Sequence, residues 1–172
     1  MDATARLSME DAVEPGIAGL PAPPLEEVRW IDEEGDARGP LALADLAPGY
    51  RILYFSQDWC AGCHAHGFPT LVALADSLRD AGVGLAAVQT VFEGSEVNTF
   101  DRLRKNQQRY GLRIPFGHAV ADPVSVDALP AIMKAYRSGG TPWFVVIGPD
   151  GRVLYDGFQL DADRIAAHFG CA

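Results

Sequence analysis

Apolar residues along the chain fall into short blocks separated by polar joints rich in glycine and proline. VRWI at 28–31 is the first block and predicts a short strand, followed by the polar turn DEEGD. LALADLAPG at 41–49 predicts a helical turn that stops at Pro48-Gly49. RILYFSQ at 51–57 has the β-branched and aromatic make-up of a strand buried on both faces. FPTLVALADSLRDAG at 68–82 switches to helical spacing, with Leu71, Leu74, Ala75 and Leu78 on one face and Gly82 as the stop. A second apolar strand follows at 83–92. A polar helix then spans 95–111, anchored by Phe100, Leu103 and Tyr110. IPFGHAVA at 114–121 reads as a short strand or extended loop, and a further helix lies around 129–137. TPWFVVIGPDGRVLYDGF at 141–158 is a hairpin about a Gly-Pro-Asp-Gly turn. DADRIAAHFG at 161–170 closes the chain as a helix with Asp161 as N-cap.

This order predicts one α/β domain over 28–172, with a largely parallel central sheet covered by helices and an antiparallel edge from the final hairpin. Residues 1–27 carry Pro15, Pro21, Pro23 and Pro24, show no period and read as a flexible N-terminal segment. A chain of 172 residues with 48% hydrophobic content can bury a core without covalent staples. The formal charge of −9 argues against nucleic acid or an anionic membrane surface as partner. No apolar run is long enough to span a bilayer. MDATARLSMEDAVEPG has acids where an export signal needs a basic start, so the sequence as written reads as cytoplasmic, and as periplasmic if a signal has been removed.

The chemistry concentrates in DWCAGCHAH at 58–66, which holds two of the three cysteines and two of the four histidines. Three chemistries fit this composition: a dithiol, a c-type haem attachment site through Cys60, Cys63 and His64, and a zinc site through Cys60, Cys63, His64 and His66. Haem attachment belongs to exported proteins, and no second axial ligand is evident. Four ligands on one helix start do not converge easily on a tetrahedral centre. The position between a buried strand and a helix favours the dithiol. Cys60 at a helix N-terminus faces unpaired N–H groups and the helix dipole, which stabilise a thiolate. Cys63, one turn on, can attack a mixed disulfide formed at Cys60. Ala61 and Gly62 keep the turn small, and Trp59 offers a flat apolar surface beside the nucleophile. Cys171 reads as a spare.

The strand ILYFSQDW, the Cys60-Ala-Gly-Cys63 helix start, Gly140-Thr141-Pro142 ahead of WFVVIG, and the PDGRVLYDGF hairpin together resemble the thioredoxin-like superfamily. The likeness is to its TlpA-like and redoxin (alkyl hydroperoxide reductase/thiol-specific antioxidant) thiol–disulfide oxidoreductases and covers about residues 28–170. The resemblance implies a thioredoxin-like fold, a redox-active Cys60–Cys63 disulfide in place of a bound cofactor, and a cis bond before Pro142. It puts Pro142 against the dithiol and the Thr141 backbone towards substrate. It implies a protein or small-molecule disulfide as substrate and a thiol as electron donor.

The chain departs from that pattern where Tyr54 stands in place of the buried aspartate that accepts the second cysteine's proton. His66 and Glu93 are the candidates for that role. The helix proline of the family is found as Pro69. The expected activity is disulfide reduction or exchange. A thiol-dependent peroxide reductase is the alternative, although the peroxiredoxin threonine–cysteine signature is absent around Cys60. A non-enzymatic metal carrier on the same fold is a third.

Overall fold

The strand RILYFS has no polar face, and it forms β3 (Arg51–Ser56) at the heart of a seven-stranded sheet, buried along its whole length. In the computed structural model, which describes residues 14–124 and 126–169, β1 (Arg29–Ile31) and β2 (Ala37–Arg38) precede it. It is followed by β4 (Gly84–Val91), β5 (Phe116–Val120), β6 (Trp143–Ile147) and β7 (Val153–Gly157). The order across the sheet is β2-β1-β5-β4-β3-β6-β7.

Only β3, β4 and β5 run parallel. β1 pairs antiparallel with β5, β6 antiparallel with β3, and β7 antiparallel with β6. The sheet is therefore more mixed than strand–helix alternation predicts. The final hairpin turns back through Gly148–Gly151 and places β6, its apolar arm, beside the central strand.

Helices α2 (Phe68–Ser77), α3 (Phe100–Arg109) and α5 (Ala162–His168) cover one face, over Tyr54, Leu71, Leu74, Leu103 and Phe144. Helices α1 (Leu43–Leu46) and α4 (Ala131–Ala135) cover the other, over Leu53, Phe55, Val88 and Trp143. Asp161 caps α5 by accepting the Arg164 N–H at 3.0 Å. Among the described residues no helix is long and apolar enough to cross a membrane.

The described part of the N-terminal segment is not loose. Ile17 and Leu25 are buried in the same core as Leu53 and Trp143. The Gly19 N–H donates to the Val153 carbonyl, the Val153 N–H to Leu20, and the Ala22 N–H to Gly151. The segment runs along the outer edge of β7 and covers it, which removes an exposed pairing edge. Two isolated apolar anchors among prolines give no period, so hydrophobic patterning cannot reveal this docking.

Candidate active site

The chain leaves β3 through Gln57, Asp58 and Trp59, and this turn is clamped from the loop before α3. The Asp58 N–H donates to Asn98 Oδ1 at 2.6 Å, and Asn106 Nδ2 donates to Asp58 Oδ1 at 3.0 Å. Arg102 stands 3.6 Å from Asp58 Oδ2. Asn98 is buried, and its amide also donates to the Glu93 and Gly94 carbonyls. A carbonyl only accepts, so His64 Nε2 carries the proton that it gives to the Asp58 carbonyl at 2.5 Å. Its Nδ1 lies 2.5 Å from the Tyr110 hydroxyl.

Cys60 follows the turn, with its N–H on the Gln57 carbonyl at 3.3 Å. The Cys63 N–H donates to Cys60 Sγ at 3.2 Å, one of the free donors of a helix start aimed at the sulfur. The two thiols are free and unlike: Cys60 is partly exposed and Cys63 is fully buried. Burial is the main cause, and the neighbouring Cys60 thiol the next, that pushes the Cys63 thiol up to about 12.

Residues 63–67 form a π turn before α2, with the Phe68 N–H reaching back five residues to the Cys63 carbonyl. Pro69 explains the widening. It has no N–H to give to Ala65, and its ring clashes with the carbonyl four residues back in a regular α-helix. The Tyr54 hydroxyl donates to the same Cys63 carbonyl at 3.1 Å. Room for it exists because residue 67 is glycine: a Cβ there would overlap the phenol oxygen and stand 2.8 Å from two ring carbons. Burial first, then the Cys63 thiol, holds the Tyr54 hydroxyl far above its ordinary value, so it stays protonated and donates.

Thr141-Pro142 is cis. The Cys60 thiol donates to the Thr141 carbonyl at 3.7 Å, and a Cβ on Gly62 would lie 3.5 Å from Pro142 Cδ. Gly140 precedes this bond with φ 142°, a conformation that strains any side-chain-bearing residue. Phe158, just after β7, lies against Gly139 and packs edge-on to Trp143 with ring centroids 4.9 Å apart. Trp59 and Phe158 are 51% and 47% exposed, large apolar surfaces left open near the dithiol and the Pro142 loop.

Cys60, Cys63, Thr141 and Pro142 thus meet at one point, with Trp59 beside them. No described hydrogen bond joins the other two candidates, His66 and Glu93, to the dithiol; the loop of Glu93 meets the site at Gly94, where a Cβ would lie 3.3 Å from Trp59 Nε1. His66 is exposed on the outer side of the π turn and faces a recess of about 260 Å³ lined by Thr70, Phe144, Phe158 and Leu160. The Glu93 side chain is exposed, and the described hydrogen bond of this residue is through its carbonyl to Asn98.

The haem and zinc readings both use His64, whose two ring nitrogens are already engaged by Asp58 and Tyr110. Among the described residues no three His, Cys, Asp or Glu side chains assemble as a metal site. Cys171 lies outside the described residues. Patterning missed Asp58, Asn98, Asn106 and Phe158. The one signal available was a polar side chain, Asn98, in the loop entering a helix, and that is too common to single out.

No protein-family model matches the chain. The chain is 25% identical over 118 residues to a probable nucleoredoxin 3 of Oryza sativa subsp. japonica, covering 69% of this chain and 22% of that protein. It thus spans about a fifth of the length of that curated relative. Among solved structures, a thiol-disulfide isomerase from Corynebacterium glutamicum superposes with a TM-score of 0.71 at 26% identity, over 87% of this chain and 94% of that one. A thioredoxin-like superfamily protein superposes at 0.68 with 29% identity, over 88% and 97%. Sheet order, dithiol and cis-proline, together with these neighbours, place the chain in the thioredoxin-like superfamily. Within that superfamily, the neighbour from Corynebacterium glutamicum is a thiol-disulfide isomerase.

Proposed function

We propose that the chain reduces or exchanges disulfides through Cys60 and Cys63, and that their disulfide is its only redox group. The observation that carries the reading is the asymmetry of the pair: a partly exposed Cys60 whose sulfur accepts the Cys63 N–H, beside a sealed Cys63 thiol. The Cys60 thiolate attacks a substrate disulfide, forming a mixed disulfide and releasing one substrate thiolate. Cys63 attacks Cys60 Sγ, and its proton passes to the departing substrate thiolate. The Cys60–substrate bond breaks, the second substrate thiol leaves, and two electrons have passed from the dithiol to the substrate. A thiol donor returns the pair to the reduced state.

The exposed Trp59 and Phe158 support a protein disulfide as substrate, since both offer apolar area to a chain laid along the Pro142 loop. The midpoint potential of the pair gives the direction of electron flow. A strongly reducing value fits a cytosolic reductase, and an oxidising one fits an exported oxidant.

The test is reduction of insulin with dithiothreitol as donor, using wild type, Cys60→Ser and Cys63→Ser. Loss of turnover in both variants is expected, with a substrate adduct trapped on Cys60 when Cys63 is absent. Equal turnover in all three overturns the reading. Thiol-driven consumption of peroxide faster than that of disulfide favours the peroxide reductase instead.

A further inference from the structure

The resolving cysteine needs more than proximity, because its sulfur must approach Cys60 Sγ in line with the bond that breaks. Both ends of the Cys63 residue are pinned. Its N–H is given to Cys60 Sγ at 3.2 Å, and its carbonyl accepts the Tyr54 hydroxyl at 3.1 Å. Tyr54 itself cannot shift. It is fully buried in mid-β3, stacked on Phe144 at 4.9 Å and edge-on to Phe68 at 5.0 Å, with neighbours Ala87 and Phe144 on the flanking strands. Its hydroxyl occupies the space that a side chain on Gly67 would fill, at the far end of the π turn that begins at Cys63. The Cys63 carbonyl already accepts the Phe68 N–H, so the phenol is not needed to satisfy a buried acceptor. Its effect is on orientation.

We propose that Tyr54 is the positioning residue of the resolving step: its hydroxyl, admitted by Gly67, fixes the Cys63 peptide so that the Cys63 sulfur is held for attack on Cys60. This rests on the dithiol reading above and adds to it how Cys63 is aimed. Tyr54 moves no proton in this role.

The test uses 5,5′-dithiobis(2-nitrobenzoate) on the reduced protein in single turnover. Attack by Cys60 releases one thionitrobenzoate and leaves the other as a mixed disulfide. Attack by Cys63 on Cys60 Sγ releases the second. Tyr54→Phe keeps the ring and removes the donor. The expected result is a first release within about twofold of wild type and a second release slowed about tenfold or more, the scale expected for a misaimed reacting group. Gly67→Ala pushes on the same contact from the other side, and is expected to slow the second release as well. The pH profile of that phase should keep its midpoint in Tyr54→Phe, since aim and not acidity has changed. An unchanged second release in Tyr54→Phe, whose fold is confirmed by near-ultraviolet circular dichroism, overturns the proposal. If Cys60→Ser releases thionitrobenzoate as wild type does, it is the dithiol reading that has failed, and the two failures are told apart.

Discussion

Asn98 Oδ1 accepts the backbone N–H of Asp58 at 2.6 Å, a bond across forty residues that ties the loop before α3 to the turn carrying Trp59 and Cys60. The same buried amide donates to the Glu93 and Gly94 carbonyls, so one side chain closes three backbone groups. Asn98→Ala leaves all three without that partner. The expected cost is about 1–3 kcal/mol, because buried groups lose bonds that water does not fully replace. Urea unfolding measures it. Faster amide hydrogen exchange at residues 58–60, with exchange in β3 unchanged, is the local signature of a loosened turn.

The unlike burial of the two thiols predicts unlike chemistry at one pH. At pH 7.5, iodoacetamide should label Cys60 and leave Cys63 untouched in the folded reduced protein, as read by peptide mass spectrometry. Cys63 also carries a stability term with a definite sign. Its folded value of about 12 lies above the ordinary 9.0, so the contribution is fully present below pH 9 and is lost as pH rises towards 12. The reduced protein should therefore weaken over that interval, by an amount on the order of a few kcal/mol. Cys63→Ser, which does not titrate there, should show a shallower alkaline decline. Identical declines in the two proteins would remove the term.

Much of this frame is legible in the chain because the strands are extreme. RILYFS, GLAAVQTV and WFVVI have no polar face and can only be central, and the Gly-Pro-Asp-Gly turn fixes the hairpin. Thr141-Pro142 ahead of WFVVI is also readable as the loop that meets the dithiol, through family resemblance and not through periodicity. What patterning misses has a common cause. Ile17 and Leu25 dock an extended segment with two anchors, Asn98 acts through backbone groups far off in sequence, and the π turn arises from Pro69, Gly67 and Tyr54 acting together. None of these leaves a repeat in the order of apolar residues.

Gly67 and Tyr54 should behave as a coupled pair in stability as well as in kinetics. Gly67→Ala drives a methyl group into the phenol oxygen and two ring carbons, and overpacking of this kind costs about 1–3 kcal/mol. Tyr54→Phe removes the nearest of those atoms, so the double variant should be more stable than the sum of the single effects predicts. Guanidinium unfolding of the four proteins gives the coupling energy directly. A coupling of zero would show that the helix start shifts away from β3 instead of meeting the ring.

His118 gives the chain an acid-sensitive point remote from the dithiol. It is buried on β5, and Gln89 Nε2 donates to its Nδ1 at 3.0 Å, so the proton of the neutral ring sits on Nε2. Arg29 lies opposite it on β1, with its guanidinium over the Phe100 ring at 4.0 Å, and Phe100 packs edge-on to the imidazole. Burial first, then the Arg29 charge, pushes His118 down to about 4 from the ordinary 6.5. Protonation would turn Nδ1 into a donor facing the Gln89 amide. The folded value lies below the unfolded one, so the stability held by the neutral ring is complete above pH 6.5 and is lost as pH falls towards 4. Thermal unfolding should therefore show a falling midpoint between pH 6.5 and 4, on top of any carboxylate titration. His118→Gln keeps a polar group able to accept from Gln89 and does not titrate. It should flatten that part of the profile while leaving Cys60 alkylation at pH 7.5 unchanged, because neither thiol touches the β1–β5 edge. If the variant follows the wild-type profile through this range, His118 is not the group that titrates.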